Sequence, residues 1–345
     1  MDKRVVFAVA GSGKTKLIVD SLDPDKTSLI VTYTIDNLRN LELRIRREFG
    51  CLPTNIHLMT YFSFLHGFCY RPALSYKLKT RDICFETPEF GSITPVATNY
   101  SHYRTKSGSI YSNRIAKAIL KLGSVDYVIS RMAKYFDCLF IDEVQDLAAN
   151  DFNLLIELCS ADMDMLMVGD FYQHTYDTSR DGNVRQSLHK NYDSYIKSFE
   201  ETGVSIDTQS LLKSHRCAPA VCQFVTERLG IAIESHRNDQ VDVELIEEKK
   251  RATEIISDNK IIKLFYQTSE KYSCFGKNWG KSKGENSYQD VAIVLTAGAE
   301  KALKKPGEIK LAASTLSKLY VAATRANGNL YLVPPRFLKE WMNTS

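Results

Sequence analysis

The sequence has no hydrophobic run long enough to span a bilayer; stretches such as Val5–Ala10 and Met163–Val168 fall far short of the ~20 apolar residues that a membrane helix needs. It also lacks the basic residues, long apolar stretch and small-residue cleavage site of a signal peptide. Membrane association is therefore not expected, and an intracellular, cytoplasmic location is. Eight cysteines (51, 69, 84, 138, 159, 217, 222 and 274) include no Cys-x-x-Cys pair, which argues against a disulfide scaffold or a zinc site and for reduced thiols. There is no internal repeat and no low-complexity segment. With 44% hydrophobic and 25% charged residues, disorder and collagen are excluded too, and 345 residues suit two medium domains or one large one. No nuclease constellation is evident: His57, His66 and His102 stand apart and read as ordinary core or surface histidines.

Charge is nearly balanced, 45 basic against 41 acidic side chains, so its total names no partner. Its distribution is uneven. Residues 71–134 hold 11 basic and 4 acidic side chains and residues 249–283 hold 9 and 3, which leaves the remainder net acidic. Concentrated positive charge is what a polyanion requires. In the first block it is interleaved with Tyr76, Tyr100, Tyr103, Tyr111 and Tyr127. Cations and aromatic rings supply the two needs of single-strand binding, phosphate neutralisation and base stacking. A solvated, charge-rich insertion is the plainer reading. Arg104, Lys106, Arg114 and Lys117 are the candidate phosphate contacts there.

Short runs rich in Val, Ile, Leu and Met occur at Arg4–Val9, Ser28–Tyr33, Ile56–Thr60, Cys138–Ile141 and Met165–Val168. This is the pattern of strands buried on both faces of a parallel sheet. Helical patterns follow at Lys14–Asp20, Ile35–Phe49 and Asp151–Cys159. A second set of strands, Val241–Ile246, Lys260–Tyr266 and Val291–Thr296, leads to a helix at Ala312–Arg325 and a strand at Asn329–Val333. The order predicts an α/β protein of two units, 1–204 and 205–345, with an insertion at about 71–124 and a polar connector over Asp177–Gly203.

Two strand ends carry chemistry. Val5–Val9 runs into Ala10-Gly11-Ser12-Gly13-Lys14-Thr15, which reads as strand, glycine-rich turn and helix start. The backbone N–H groups of Ala10, Gly11, Ser12 and Gly13 can face phosphates. Lys14 would reach the terminal phosphates and Thr15 would ligate Mg²⁺. Ala8 stands where the strict motif has its first glycine. The second element is Cys138–Ile141 followed by Asp142-Glu143-Val144-Gln145-Asp146. The carboxyl ends of parallel strands are where open sheets bind ligands. Asp142 is placed to hold Mg²⁺, and Glu143 to orient and deprotonate an attacking water. Alone, such a pair is often a solvated loop; with the phosphate loop it reads as a nucleotide site.

These residues resemble the UvrD/Rep/PcrA group of superfamily 1 helicases. Asp-Glu-x-Gln-Asp is that group's second motif, and Ala-x-Ala-Gly-Ser-Gly-Lys-Thr is its phosphate loop, which accounts for Ala8. Further matches fall in order. Leu29–Thr34 is similar to motif Ia, with Ile35 in place of the usual Asn, and Thr60-Tyr61-Phe62-Ser63 resembles the next DNA-facing motif, with Phe62 where His is common. Val168–Tyr176 resembles motif III, Leu212–Arg216 motif IV with His215 for Tyr, and Leu319–Ala326 motif VI. The resemblance implies two RecA-like parallel-sheet domains with a nucleoside triphosphate in the cleft between them, and ATP and Mg²⁺ as cofactors. It implies that Gln173 senses the γ-phosphate, and that Arg216 and Arg325 reach from the second domain to stabilise the transferring phosphoryl group. Thr32, Tyr33, Tyr61, Phe62 and Tyr176 are the implied nucleic-acid contacts.

Departures from the family shape the expectation. The glutamine motif that reads adenine is missing ahead of the loop, which implies a truncated chain or weak discrimination between ATP and GTP. Motif V, Trp279–Val291, has a longer spacing after Gly284 and places Glu285 as the contact to the nucleotide sugar. The family's base-stacking aromatic after motif III falls near Thr178, and only residues 217–280 are available for the usual second-domain insertion. The expected function is an NTP-dependent helicase or translocase on single-stranded nucleic acid, DNA favoured, moving 3′→5′ by family analogy. The alternative is an NTPase subunit that senses nucleic acid and regulates a partner nuclease, as in DNA repair or phage defence, with little unwinding of its own. The sequence does not indicate an oligomeric state.

Overall fold

The runs of β-branched and long apolar residues do form strands, and their burial follows their place in each sheet. A computed structural model describes residues 2–88, 99–175, 181, 184–284, 288–305 and 307–342. The chain divides into two units: Met1–Val6, Lys14–Gly169 and Tyr176–Asp207 form one, and Phe7–Gly13, Asp170–Thr175 and Thr208–Ser345 the other. Both are α/β with parallel sheets. Among the described residues no helix is long and apolar enough to cross a membrane.

The first unit contains strands β1 (Lys3–Phe7), β2 (Ser28–Thr32), β3 (Ile56–Thr60), β4 (Asp82–Cys84), β5 (Ser109–Tyr111), β6 (Cys138–Ile141), β7 (Asp164–Gly169) and β8 (Ser205–Asp207). Six of them form one sheet in the order β3-β2-β6-β7-β1-β8. The central strands β2 and β6 are buried at every residue, whereas the edge strands β3 and β8 are mostly half-buried. That contrast is expected where helices cover both faces. The helix Ile35–Phe49 starts on Thr34, whose hydroxyl accepts from the Asn37 N–H, and stops at Gly50 in the left-handed region.

Two expectations change here. The segment Asp177–Gly203 is not merely a connector: Tyr192–Glu200 is a helix, and Tyr195 and Phe199 pack on Phe152 with centroids 5.3 and 5.4 Å away. Two aromatics one turn apart suffice to anchor a segment otherwise too polar to signal burial. The basic insertion also has a core. Tyr70, Leu74, Leu78, Tyr103, Ile110, Ile115 and Ile119 are all buried, and β4 pairs with β5 in a small parallel sheet.

The second unit holds β9 (Lys213–Ser214), β10 (Glu234–Ser235), β11 (Val243–Leu245), β12 (Ile262–Phe265), β13 (Gly276–Asn278), β14 (Val291–Val294) and β15 (Leu330–Val333). Its main sheet runs β11-β15-β14-β12-β13 with parallel neighbours throughout. β13, Gly-Lys-Asn, carries no apolar signal and is held by its ladder to β12. Gly276 is needed there, because a Cβ would lie 2.6 Å from the Phe265 ring.

Candidate nucleotide site and nucleic-acid face

The glycine-rich turn takes the conformation that its glycines permit. Gly11 and Gly13 have φ of 72° and 98°, in the region that costs a side-chain-bearing residue strain. Ser12 is buried, and its hydroxyl and N–H both turn back to the Val9 carbonyl, at 2.8 and 3.3 Å. The helix begins at Lys14, whose neighbour Thr15 is half-buried. The Ala10 N–H is engaged: it donates to the Tyr320 hydroxyl at 2.9 Å. Of the loop's N–H groups, that leaves those of Gly11 and Gly13, with the first helical turn, as the ones that could face an anion.

At the end of β6 the chain turns sharply through Glu143, which sits at φ 57° and ψ 45° in the left-handed region. The Asp142 carboxylate, almost fully buried, accepts from the Glu143 N–H at 3.0 Å, and the Gln145 side-chain amide donates to the Glu143 carboxylate. A strained non-glycine residue, held by its neighbours on both sides, presents a fixed carboxylate at the strand end. Gly169 makes room for this turn: a Cβ there would stand 2.5 Å from the Gln145 side-chain oxygen and 2.7 Å from Val144. The Tyr195 hydroxyl donates to the Val144 carbonyl, so the aromatic helix buttresses the same turn.

In the second unit, Gln173 is buried in the short helical turn Phe171–Gln173, which Asp170 caps by accepting from the Tyr172 N–H at 3.2 Å. Tyr320 donates to the other Asp170 oxygen at 2.9 Å. Arg216 packs its Cβ where a Cβ on Gly11 would come within 2.7 Å, and its guanidinium donates to the Thr324 carbonyl at 3.2 Å. Arg325 is 2% exposed and donates to the Val321 carbonyl at 3.2 Å. The Cys217 thiol is held below the usual thiol range, first by a hydrogen bond with Cys222, against the effect of its burial, and then by Ser214 and the positive charges of Arg216 and Arg325. All eight cysteines are free, and five are buried.

The donor set suits a magnesium nucleotide. Thr15 and Asp142 supply hard oxygen atoms, and Mg²⁺ characteristically takes one or two protein ligands and completes its shell with phosphate oxygens and water. Among the described residues no group of three or more His, Cys, Asp or Glu could hold a metal unaided.

Residues 74–200, which include the Asp142–Asp146 turn and the Gln173 segment, match the family model of the UvrD/REP helicase N-terminal domain. Over that stretch the chain is similar to the N-terminal domain of the UvrD/REP helicases. No curated protein sequence matches it. Among solved structures, it is similar to the PRRSV helicase at 14% identity, over 99% of this chain and 54% of that one, with a TM-score of 0.47. It is also similar to Arterivirus nonstructural protein 10 (helicase) in a complex with DNA, at 14% identity over 98% and 63% of the two chains, TM-score 0.49. A second structure of that Arterivirus protein matches at 15% identity over 98% and 62%, TM-score 0.48. The chain thus spans between half and two thirds of the length of these structures.

The expected nucleic-acid residues divide by exposure. Thr32 ends β2 with its hydroxyl buried and without a hydrogen-bond partner, and Tyr33 is half-buried. Tyr61 is buried beside Asp151; burial and then that carboxylate push its phenol well above the usual range. It is a core ring and not a stacking surface. Phe62 is half-buried and stacks on His66 at 5.9 Å. Tyr176 and Glu285, and Thr178 with them, lie outside the described residues. Of the insertion's tyrosines, Tyr76 is 95% exposed, while Tyr103 is fully buried. Arg114 and Lys117, candidates for phosphate contact, instead pair with Asp181 at 3.2 and 2.7 Å, Arg114 and Asp181 being buried. Nothing in the sequence alone assigns Gln145 and Tyr320 these hydrogen bonds.

Proposed function

We propose that the chain is a nucleoside-triphosphate-driven translocase or helicase on single-stranded nucleic acid, with DNA the favoured strand, ATP the favoured fuel and 3′→5′ the direction that the family resemblance supplies. The observation that carries this reading is the Asp142–Glu143 turn. A carboxylate held in a left-handed backbone conformation and clamped by Gln145 is preorganised to accept a proton from water. The loop from Gly11 to Thr15 binds the phosphates, and Lys14 neutralises them. Thr15 and Asp142 hold Mg²⁺, which when bound supplies charge neutralisation at the phosphoryl oxygens. Arg216 and Arg325 stabilise the charge of the transferring group, and Gln173 reports its presence.

Hydrolysis rates with and without single-stranded DNA or RNA test this. Wild type should be stimulated by a single strand, and Lys14→Ala and Glu143→Gln should each lose turnover while retaining fold. No stimulation in the wild type, or full turnover in Glu143→Gln, refutes the reading. A second reading, a nucleic-acid-sensing NTPase subunit that controls a partner nuclease, is favoured by one observation: half of residues 217–280 lie in the elements Pro219–Leu229, β10, β11, Lys249–Ser257, β12 and β13, which leaves little room for a further domain there. Strand displacement by the isolated protein separates the two, since only the motor unwinds alone.

A further inference from the structure

A column of rings rises from the core of the first unit to its surface. Tyr70 is buried and its hydroxyl is 2.6 Å from that of Thr80. His66 stacks on Tyr70 at 5.8 Å with planes 24° apart, and Phe62 stacks on His66 at 5.9 Å with planes 10° apart. Side chains four residues apart on a helical run line one face, which is why 62, 66 and 70 meet. Phe85, just after β4, completes the column at 5.5 Å from Phe62 and is 73% exposed. Both ends are anchored, because Thr80 at the foot lies two residues before the strand that carries Phe85 to the top.

A phenylalanine 73% exposed, with its ring tilted 39° to the outermost ring of a preformed stack, suits an occupant with a flat apolar face. The segment that carries it is mostly basic. Arg71, Lys77, Lys79 and Arg81 are exposed in the same segment, against Asp82 and Glu86, within a block of 11 basic and 4 acidic residues. Lys77 also lies over the Tyr100 ring at 6.0 Å. A flat apolar group attached to a polyanion is a nucleobase in a single strand. Burial, and then the charge of Arg71, lower the His66 pKa, which keeps the middle ring of the column neutral.

We propose that Phe85, seated on Phe62 at the outer end of this column, is a base-stacking platform for single-stranded nucleic acid. The inference rests on the proposed function and adds to it a residue outside every motif. The column is assembled before binding, so little ordering is lost when a base stacks on it.

The test is fluorescence anisotropy on the full chain with labelled oligo(dT) and with a strand of equal length carrying abasic sites, at several salt concentrations. Phe85→Ala should weaken oligo(dT) binding by about five- to tenfold, and Phe85→Trp should retain it. The two proteins should bind the abasic strand alike, and the salt dependence should not change, since no charge is removed. A thermal melt equal to the wild type confirms that the exposed ring was removed without unfolding. Binding of oligo(dT) by Phe85→Ala within twofold of the wild type overturns this inference and leaves the helicase reading intact. Wild-type protein that binds no single strand overturns both. Loss of self-association in Phe85→Ala, with strand binding unchanged, would make the ring a contact between copies of the chain and also overturn it.

Discussion

Removal of the Asp181 carboxylate isolates one of the few buried cations of the first unit. Arg114 is 5% exposed; its Nε donates to Asp181 Oδ1 at 3.2 Å, and its terminal nitrogen donates to the His102 carbonyl. Lys117 reaches the other carboxylate oxygen at 2.7 Å and is more exposed, so it can turn to water. Asp181→Ala leaves the guanidinium buried with one neutral acceptor, and breaking such a pair costs about 3–5 kcal/mol. Replacing both partners, Asp181→Leu with Arg114→Met, removes the stranded charge and should restore most of the loss. Urea unfolding of wild type, both single variants and the double variant gives the coupling directly. A loss under about 1 kcal/mol for Asp181→Ala, or a double variant as unstable as the sum of the singles, refutes the reasoning. The pH dependence is a second check. Burial alone would push the Asp181 pKa up, but the hydrogen bond and charge of Lys117 and the charge of Arg114 outweigh it and hold the group below the usual carboxylate range. A depressed carboxylate stabilises fully above its unfolded value near ~4 and loses that contribution as pH falls through its folded value. The gap between wild type and Asp181→Ala should therefore close only in acid below about pH 4.

Gly11→Ala should destabilise by about 2–4 kcal/mol, since it combines a left-handed backbone with a Cβ 2.7 Å from that of Arg216. Gly307→Ala in the same unit, with φ +78° and nothing within 4 Å, should cost only the backbone part, so equal losses in denaturant melts would refute the crowding argument. Gly169→Ala displaces Gln145 from Glu143 and should lower kcat by about tenfold or more with little change in KM; steady-state hydrolysis assays decide it, and an unchanged kcat refutes the clamp. Neutralising Arg104 and Lys106 together should reduce the slope of log affinity against log salt by about 1–2. Lys117→Gln should leave that slope unchanged, because its charge is committed to Asp181.

The central strands were legible because burial on both faces requires uninterrupted apolar runs, and Cys138–Ile141 forms the predicted strand residue for residue; the half-buried edge strand Ile56–Thr60 also keeps its predicted bounds. The Asp142–Glu143 turn was legible for a related reason: adjacent carboxylates and paired glycines serve local backbone geometry, and local geometry is written in consecutive residues. The remainder depends on tertiary contact. Gly-Lys-Asn becomes β13 only because Phe265 and the β12 backbone lie beside it. Arg114 reads as a surface cation until Asp181, 67 positions away, is seen against it. Tyr61 and Phe62 are neighbours of similar type, yet one is core and the other reaches the surface, a difference set by helical phase and not by composition.

The same dependence on contact explains how the phosphate loop is tied to the residue that the family resemblance assigns to γ-phosphate sensing. The Tyr320 hydroxyl accepts from the Ala10 N–H and donates to Asp170, each at 2.9 Å. The second Asp170 oxygen caps the turn that ends at Gln173. Burial, reinforced by the Asp170 carboxylate, pushes the Tyr320 pKa well above its usual value. The group therefore stays a neutral hydroxyl over the whole physiological range, able to accept and donate at once. A carboxylate in its place would repel Asp170, and a phenylalanine would orphan both the Ala10 N–H and one Asp170 oxygen in a buried setting. Because a buried donor and acceptor must both be satisfied, movement of the loop backbone at Ala10 has to be accommodated by Tyr320, and through Asp170 by the Gln173 turn. The three segments lie far apart in the sequence but fall in one unit of the fold, and one hydroxyl couples them.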